Sequence, residues 1–153
     1  MMAGPIHVRL REVGIPDLPA LYAMQADPDS AAMAGVPSRD HAAFLEHRAQ
    51  VAADPEVVWL VIDVDGEVAG NVLCFIQHGR RVVGYWLVRE HWGRGIATAA
   101  LRELLEVVGE RPLYATVSTS NAGSRRVLAK CGFVQAGEPE VVDGVEQILL
   151  ELP

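Results

Sequence analysis

Between residues 81 and 117 the chain reads strand, glycine loop, helix, strand, and that succession leaves little choice of topology. Arg81 to Val88 is a strand of apolar and aromatic residues. Ile96 to Val108 follows, with Ala97, Leu101, Leu104, Leu105 and Val108 at the helical period. Leu113 to Val117 is a second strand. Two strands joined through a helix run parallel and close by a right-handed crossover.

Around this unit the signals are those of hairpins. Asp65-Gly66, His78-Gly79-Arg80 and Asp143-Gly144 punctuate apolar runs. They divide strands at 57–63, 68–77, 81–88, 133–136 and 145–152. Ile6 to Leu10 alternates and opens the chain as a strand. Pro16-Asp17 starts a short helix to about Met24, and Ala26 to Ser38 is a loop rich in Pro, Asp, Gly and Ala. Ser38 is placed to cap a helix that ends near Ala52, before Asp54-Pro55. Asn121 to Cys131 is a helix stopped by Gly132. The expectation is one α+β domain over residues 1–153. It has a mixed, mostly antiparallel seven-stranded sheet, four flanking helices and one parallel strand pair.

Bulk properties narrow the function. The 153 residues suit one sizeable core, and half of them are hydrophobic. No apolar run approaches a bilayer span and no secretion signal opens the chain, so a cytoplasmic location is expected and a membrane partner is not. The formal charge is −7, which argues against a nucleic-acid partner and favours attraction of amines. Cys74 and Cys131 are far apart, match neither a disulfide framework nor a zinc spacing, and are expected to be buried thiols. No metal is expected.

Gly93-Arg94-Gly95 lies between strand and helix. Glycines admit positive dihedrals and close approach of another molecule, and a helix start offers free amides to an anion. The first turn, Ile96-Ala97-Thr98-Ala99, carries no acid, although acids are usually enriched there, and Arg94 adds a positive charge. A glycine turn needed for geometry alone is the alternative. A P-loop is excluded because no Lys follows Gly95, and a dinucleotide-binding turn because Thr98 stands where its third Gly or Ala belongs.

Taken together, three segments resemble the GNAT superfamily of N-acetyltransferases. They are Gly84-Tyr85-Trp86-Leu87-Val88, then Trp92-Gly93-Arg94-Gly95-Ile96-Ala97-Thr98, then Asn121-Ala122-Gly123-Ser124-Arg125-Arg126-Val127-Leu128 with Lys130-Cys131-Gly132-Phe133. The pattern is most similar to the branch that acetylates the N-termini of ribosomal proteins. The resemblance implies acetyl-CoA as cosubstrate and a parallel strand pair splayed at one end. The pantetheine arm would lie in the gap on backbone groups of Leu87 and Val88. The pyrophosphate would sit on the amides of Gly93, Arg94, Gly95, Ile96, Ala97 and Thr98, beside Trp92.

It further implies Asn121 as a contact of the arm, with helix capping as the alternative role. Ser124 would stand near the cofactor sulfur. Of Arg125, Arg126 and Lys130, Arg126 is the preferred phosphate contact; a solvated cationic helix end is the alternative. The implied reaction is direct attack of an amine on the thioester, through a tetrahedral intermediate, with Ser124 protonating the thiolate. The branch often has an acid two residues before the Gly-Tyr-Trp segment. Val82 stands there instead, so the base stays open among Tyr85, Asp54, His41 and a water chain.

The acceptor is expected from the loop 26–38, the helix after it and the turn at His78. Asp27, Asp29, Asp40 and Asp54 are candidates to attract a cation. It is either a small amine or a protein N-terminus. A homodimer is compatible with the sequence. The competing reading is a non-catalytic acyl-CoA sensor.

Overall fold

The computed structural model describes residues 6–27 and 39–153. Three two-residue turns set its registers. Asp65-Gly66, His78-Gly79 and Asp143-Gly144 all have positive φ at both positions, 50° and 90°, 51° and 75°, 50° and 79°. Only primed turns need this, and they match the twist of paired strands. They join β2 (Val58–Val64) to β3 (Glu67–Gln77), β3 to β4 (Arg80–Leu87), and β7 (Glu140–Val142) to β8 (Val145–Leu152). The other strands are β1 (Val8–Glu12), β5 (Leu113–Ser118) and β6 (Val134–Gln135).

The sheet runs β1-β2-β3-β4-β5-β8-β6, with β7 also on β8, eight strands in place of seven. β6 and β7 both line the outer edge of β8, interrupted at Gly137, whose φ is 139°. The short apolar run 140–142 is one strand position broken in two, which a count of separate runs misses. Every pairing is antiparallel except β4 with β5, which meet at Val82↔Tyr114.

Helices α1 (Leu18–Ala26) and α2 (His41–Ala53) pack on one face, with Leu21, Met24 and Phe44 against Val61, Trp59 and Trp86. On the other face α3 (Ile96–Val107) and α4 (Ala122–Lys130) bury Leu101, Leu104 and Leu128 against Ile62, Val72, Val83 and Ile148. The cap of α2 is Asp40, whose side chain accepts from the N–H of Ala43. Ser38 lies outside the described residues. Capping needs an acceptor beside the first turn, and Asp40 stands closer to it.

A charged knot ties the first strand to this frame. Arg11 makes two hydrogen bonds to Asp17, at 2.8 and 2.9 Å, and a third to Asp63 at 2.8 Å. Asp17 and Asp63 are both buried. The hydrogen bonds from Arg11 hold both carboxyls below the ordinary carboxylate range, against the opposing effect of burial. Cys74 is fully buried, whereas Cys131 is half-buried at the end of α4, where the helix cap meets the surface. Among the described residues no helix is long and apolar enough to cross a membrane.

Candidate active site

Gly95 is the N-cap of α3, in the left-handed region at φ 76° and ψ 5°, and Gly93 has φ 75°. A Cβ built on either would meet no atom of the described residues within 4 Å. Both glycines border open space, where other residues would be strained. The first N–H to reach back within the helix is that of Ala99, to the carbonyl of Gly95. Those of Ile96, Ala97 and Thr98 precede it, so the helix gives them no carbonyl. No side chain caps them and no acid stands in the turn. Three outward amides at the positive end of a helix dipole suit an anion.

These residues line a cavity of about 500 Å³, closed by Tyr85, Leu87 and Trp92 on one side and by Asn121 with Ser124, Arg126 and Lys130 of α4 on the other. Arg94 and Val88 are not among its walls. Arg125 turns away and donates to the carbonyl of Thr119. Two buried nitrogens, Trp86 Nε1 and His91 Nδ1, have no hydrogen-bond partner among the described residues. The uncapped amides of Ile96, Ala97 and Thr98, facing Arg126 and Lys130 across the cavity, fit a phosphate-bearing cosubstrate.

The cavity opens into a gap in the sheet. Gln77↔Arg80 closes the β3–β4 turn, and antiparallel alternation from that pair aims the backbones of Arg81, Val83, Tyr85 and Leu87 towards β5. Beyond Val82↔Tyr114 no β5 residue pairs with them. Val88 obeys the same alternation, and its N–H donates to the carbonyl of Ala69 at 2.8 Å. It is therefore committed to β3, and the N–H of Leu87 is the one aimed at the gap. The carbonyl of Leu87 accepts from Trp92 Nε1 at 2.8 Å. Gly70 lies so near the carbonyl of Trp86 that a Cβ there would overlap it.

Tyr85 and Ser124 meet across the gap. The phenol donates to Ser124 Oγ at 3.1 Å, and Asn121 Oδ1 caps α4 by accepting from the N–H of Ser124, also at 3.1 Å. Asn121 thus does cap the helix, and it lines the cavity as well. Burial pushes the Tyr85 phenol above its ordinary value, the hydrogen bond with Ser124 opposing. Such a phenol stays protonated near neutrality and is a donor, not a base. His41 stacks edge-on with Tyr22, Asp54 accepts from the N–H of Glu56, and neither lines this cavity. Asp40 is used as a cap, Asp27 pairs with Arg89 at 3.7 Å, and Asp29 lies outside the described residues.

A second cavity, about 800 Å³, shares Tyr85 and Ser124 with the first. Its walls include His78, Val82, Gly84, Thr116 and Gln147, and the 136–143 segment with Glu138, Glu140 and Asp143. The turn at His78 was expected here; the acids were not. Their spacing, Glu138-x-Glu140 before Asp143-Gly144, is the signal in the sequence that would have found them.

The model of the acetyltransferase (GNAT) domain matches residues 7–134. A Bacillus subtilis (strain 168) protein, YoaA, described as an uncharacterized N-acetyltransferase, is 32% identical over 65 residues, 40% of this chain and 37% of that protein. The match thus spans little more than a third of that relative. Among solved structures, spermidine N-acetyltransferase from Vibrio cholerae, in complex with CoA and spermine, superposes with a TM-score of 0.80 at 18% identity, over 94% of this chain and 92% of that one. RimJ from Mycobacterium smegmatis, in complex with CoA-disulfide, gives 0.76 at 26% identity, over 97% and 85%. From the domain match, which spans most of its length, the chain belongs to the acetyltransferase (GNAT) family.

Proposed function

We propose that the chain is an acetyl-CoA-dependent N-acetyltransferase that moves an acetyl group to a primary amine of a small molecule or a protein N-terminus. The observation that carries this reading is the meeting of two cavities at one hydrogen-bonded pair, Tyr85 and Ser124. One cavity has an anion cradle; the other has acids at its rim. Donor and acceptor would enter separately and react between them.

In this reading the amides of Ile96, Ala97 and Thr98, with Arg126, take the pyrophosphate. Gly93 and Gly95 let it approach. The pantetheine arm lies along β4 in place of a missing strand, on the N–H of Leu87 and the backbone of Tyr85. The neutral amine first forms the C–N bond, giving a tetrahedral intermediate; its nitrogen gives up a further proton to water, and the intermediate collapses as the C–S bond breaks. An N–H of β4 aimed into the gap opposes the charge on its oxygen. Ser124 donates to the departing sulfur, and its proton is replaced from solvent. Tyr85, donating to Ser124 Oγ, turns that hydroxyl towards the sulfur.

No carboxylate stands at Val82, so the amine loses its own proton to water. The acids at 138, 140 and 143 favour cationic acceptors. Support comes from a structural neighbour solved with both CoA and spermine. The absent acid at Val82 also favours the sensor reading. A panel of primary amines, assayed for thiol release from acetyl-CoA, decides between them. Amine-dependent release supports the enzyme; tight CoA binding with no release from any amine would support the sensor instead.

A further inference from the structure

Gly84 sits in the interior of β4, opposite Leu73 of β3. Glycine there weakens a strand by about 0.5–1 kcal/mol relative to alanine. Two structural reasons normally justify it. The first is a positive φ, and Gly84 is not among the glycines that have one. The second is close packing, as at Gly70. A Cβ on Gly84 would meet nothing within 4 Å among the described residues. What the missing side chain leaves is room.

That room belongs to the second cavity, which Gly84 lines. The position is two residues past Val82, where the pairing of β4 with β5 ends. Strand alternation puts residue 84 on the face opposite Tyr85, hence away from α3 and α4. Val83, Tyr85 and Leu87 pack with the α3–α4 core, while Trp86 packs with the core of α1 and α2. The vacant Cβ direction thus opens into the second cavity at the mouth of the gap, from the face of the sheet opposite the Tyr85–Ser124 pair that the same cavity reaches.

We infer that Gly84 is a specificity-determining residue, whose missing side chain admits an amine borne on a substituted carbon. This rests on the acetyltransferase reading above. An unbranched alkylamine needs no such space, whereas an α-substituted one carries its extra group next to the attacking nitrogen. Filling the space should therefore act on the branched acceptor selectively, with alanine acting less than valine. One added methyl group in a fitted pocket is worth about tenfold or more in discrimination.

The test uses Gly84→Ala and Gly84→Val in the full chain, with three measurements. Melting temperature should hold or rise in both, since a Cβ there meets nothing among the described residues and strand propensity improves. The affinity for CoA itself should stay within about twofold. The ratio of kcat/KM for sec-butylamine over n-butylamine should fall about tenfold in Gly84→Val. In parallel, CoA alkylated on sulfur with a branched amide should lose about tenfold in affinity relative to CoA. This second ratio needs no turnover.

A melting temperature several degrees lower in Gly84→Ala would overturn the inference by revealing a packing role. Unchanged ratios in Gly84→Val, for both amines and thioethers, would overturn it too. Failure of the unsubstituted chain to bind CoA would instead overturn the reading beneath it, and the inference with it.

Discussion

Replacing Gly95 by valine separates the two reasons for a glycine at that position. The backbone there is left-handed, at φ 76°. An L-residue in that region costs about 1–2 kcal/mol, at the upper end for a β-branched one. The added Cβ brings no packing cost, because at 95 it meets no atom of the described residues within 4 Å. For a chain of this length about 2–4 °C accompanies each kcal/mol, so the melting temperature should fall by about 2–8 °C. The side chain would, however, project into the space where the pyrophosphate is placed. Losing two charge-assisted hydrogen bonds, at about 1.5–3 kcal/mol each, weakens binding by about 3–6 kcal/mol. That is roughly a hundredfold or more in Kd. Gly66→Val is the control. Gly66 has φ 90°, its Cβ would also meet nothing, and it lies in the β2–β3 turn away from both cavities. It should lose similar stability and no affinity. Calorimetric titration with CoA on all three proteins reads the result. Normal CoA binding by Gly95→Val, or an equal loss in Gly66→Val, would refute the placement of the phosphates.

Arg11→Met should cost about 3 kcal/mol or more at neutral pH, since it takes the ion pair from buried Asp17 and leaves buried Asp63 only the longer pairing with exposed Arg9. Asp17 and Asp63 have lowered values in the folded chain, so their pairing stabilises fully above the ordinary carboxylate pKa of about 4. That contribution is lost as pH falls through the lowered folded values. Denaturant melts from pH 7 downward should therefore show the gap between the two proteins closing below about pH 4; a constant gap contradicts the charged knot. With valine at 82, kcat/KM should rise with pH towards the acceptor's own pKa and shift between amines of different basicity. A plateau near pH 6–7, shared by every acceptor, would point to an enzyme base.

What was legible in the sequence is what local chemistry decides. The paired turn residues at 65–66, 78–79 and 143–144 announce hairpins because few residues tolerate their dihedrals. The helical period from 96 and the glycines before it place α3 and its cradle. Non-local features were hidden. Arg11 reaches Asp63 across 52 positions, and Tyr85 reaches Ser124 across 39. No local pattern marks either pair. Trp92 closes the carbonyl of Leu87 only because the short turn Arg89–His91 folds the indole back. The commitment of Val88 to Ala69 follows from alternation along β4, which needs the register of the turn at Gln77↔Arg80. His41 and Asp54 were plausible bases by type alone, and α2 carries them away from the gap.

The central claim is that acetyl transfer occurs at the Tyr85–Ser124 pair. Steady-state kinetics of Tyr85→Phe, Ser124→Ala and the double variant, on an amine that supports turnover, test it most directly. Each single change removes the hydrogen bond between them, worth about 0.5–1.5 kcal/mol. Both should lower kcat and kcat/KM together, by up to about tenfold, while CoA affinity stays near that of the unsubstituted chain. If Tyr85 acts by turning the Ser124 hydroxyl, the double variant should be no slower than Ser124→Ala alone. Full turnover by Ser124→Ala and Tyr85→Phe would contradict the claim and move the chemistry away from the junction of the two cavities.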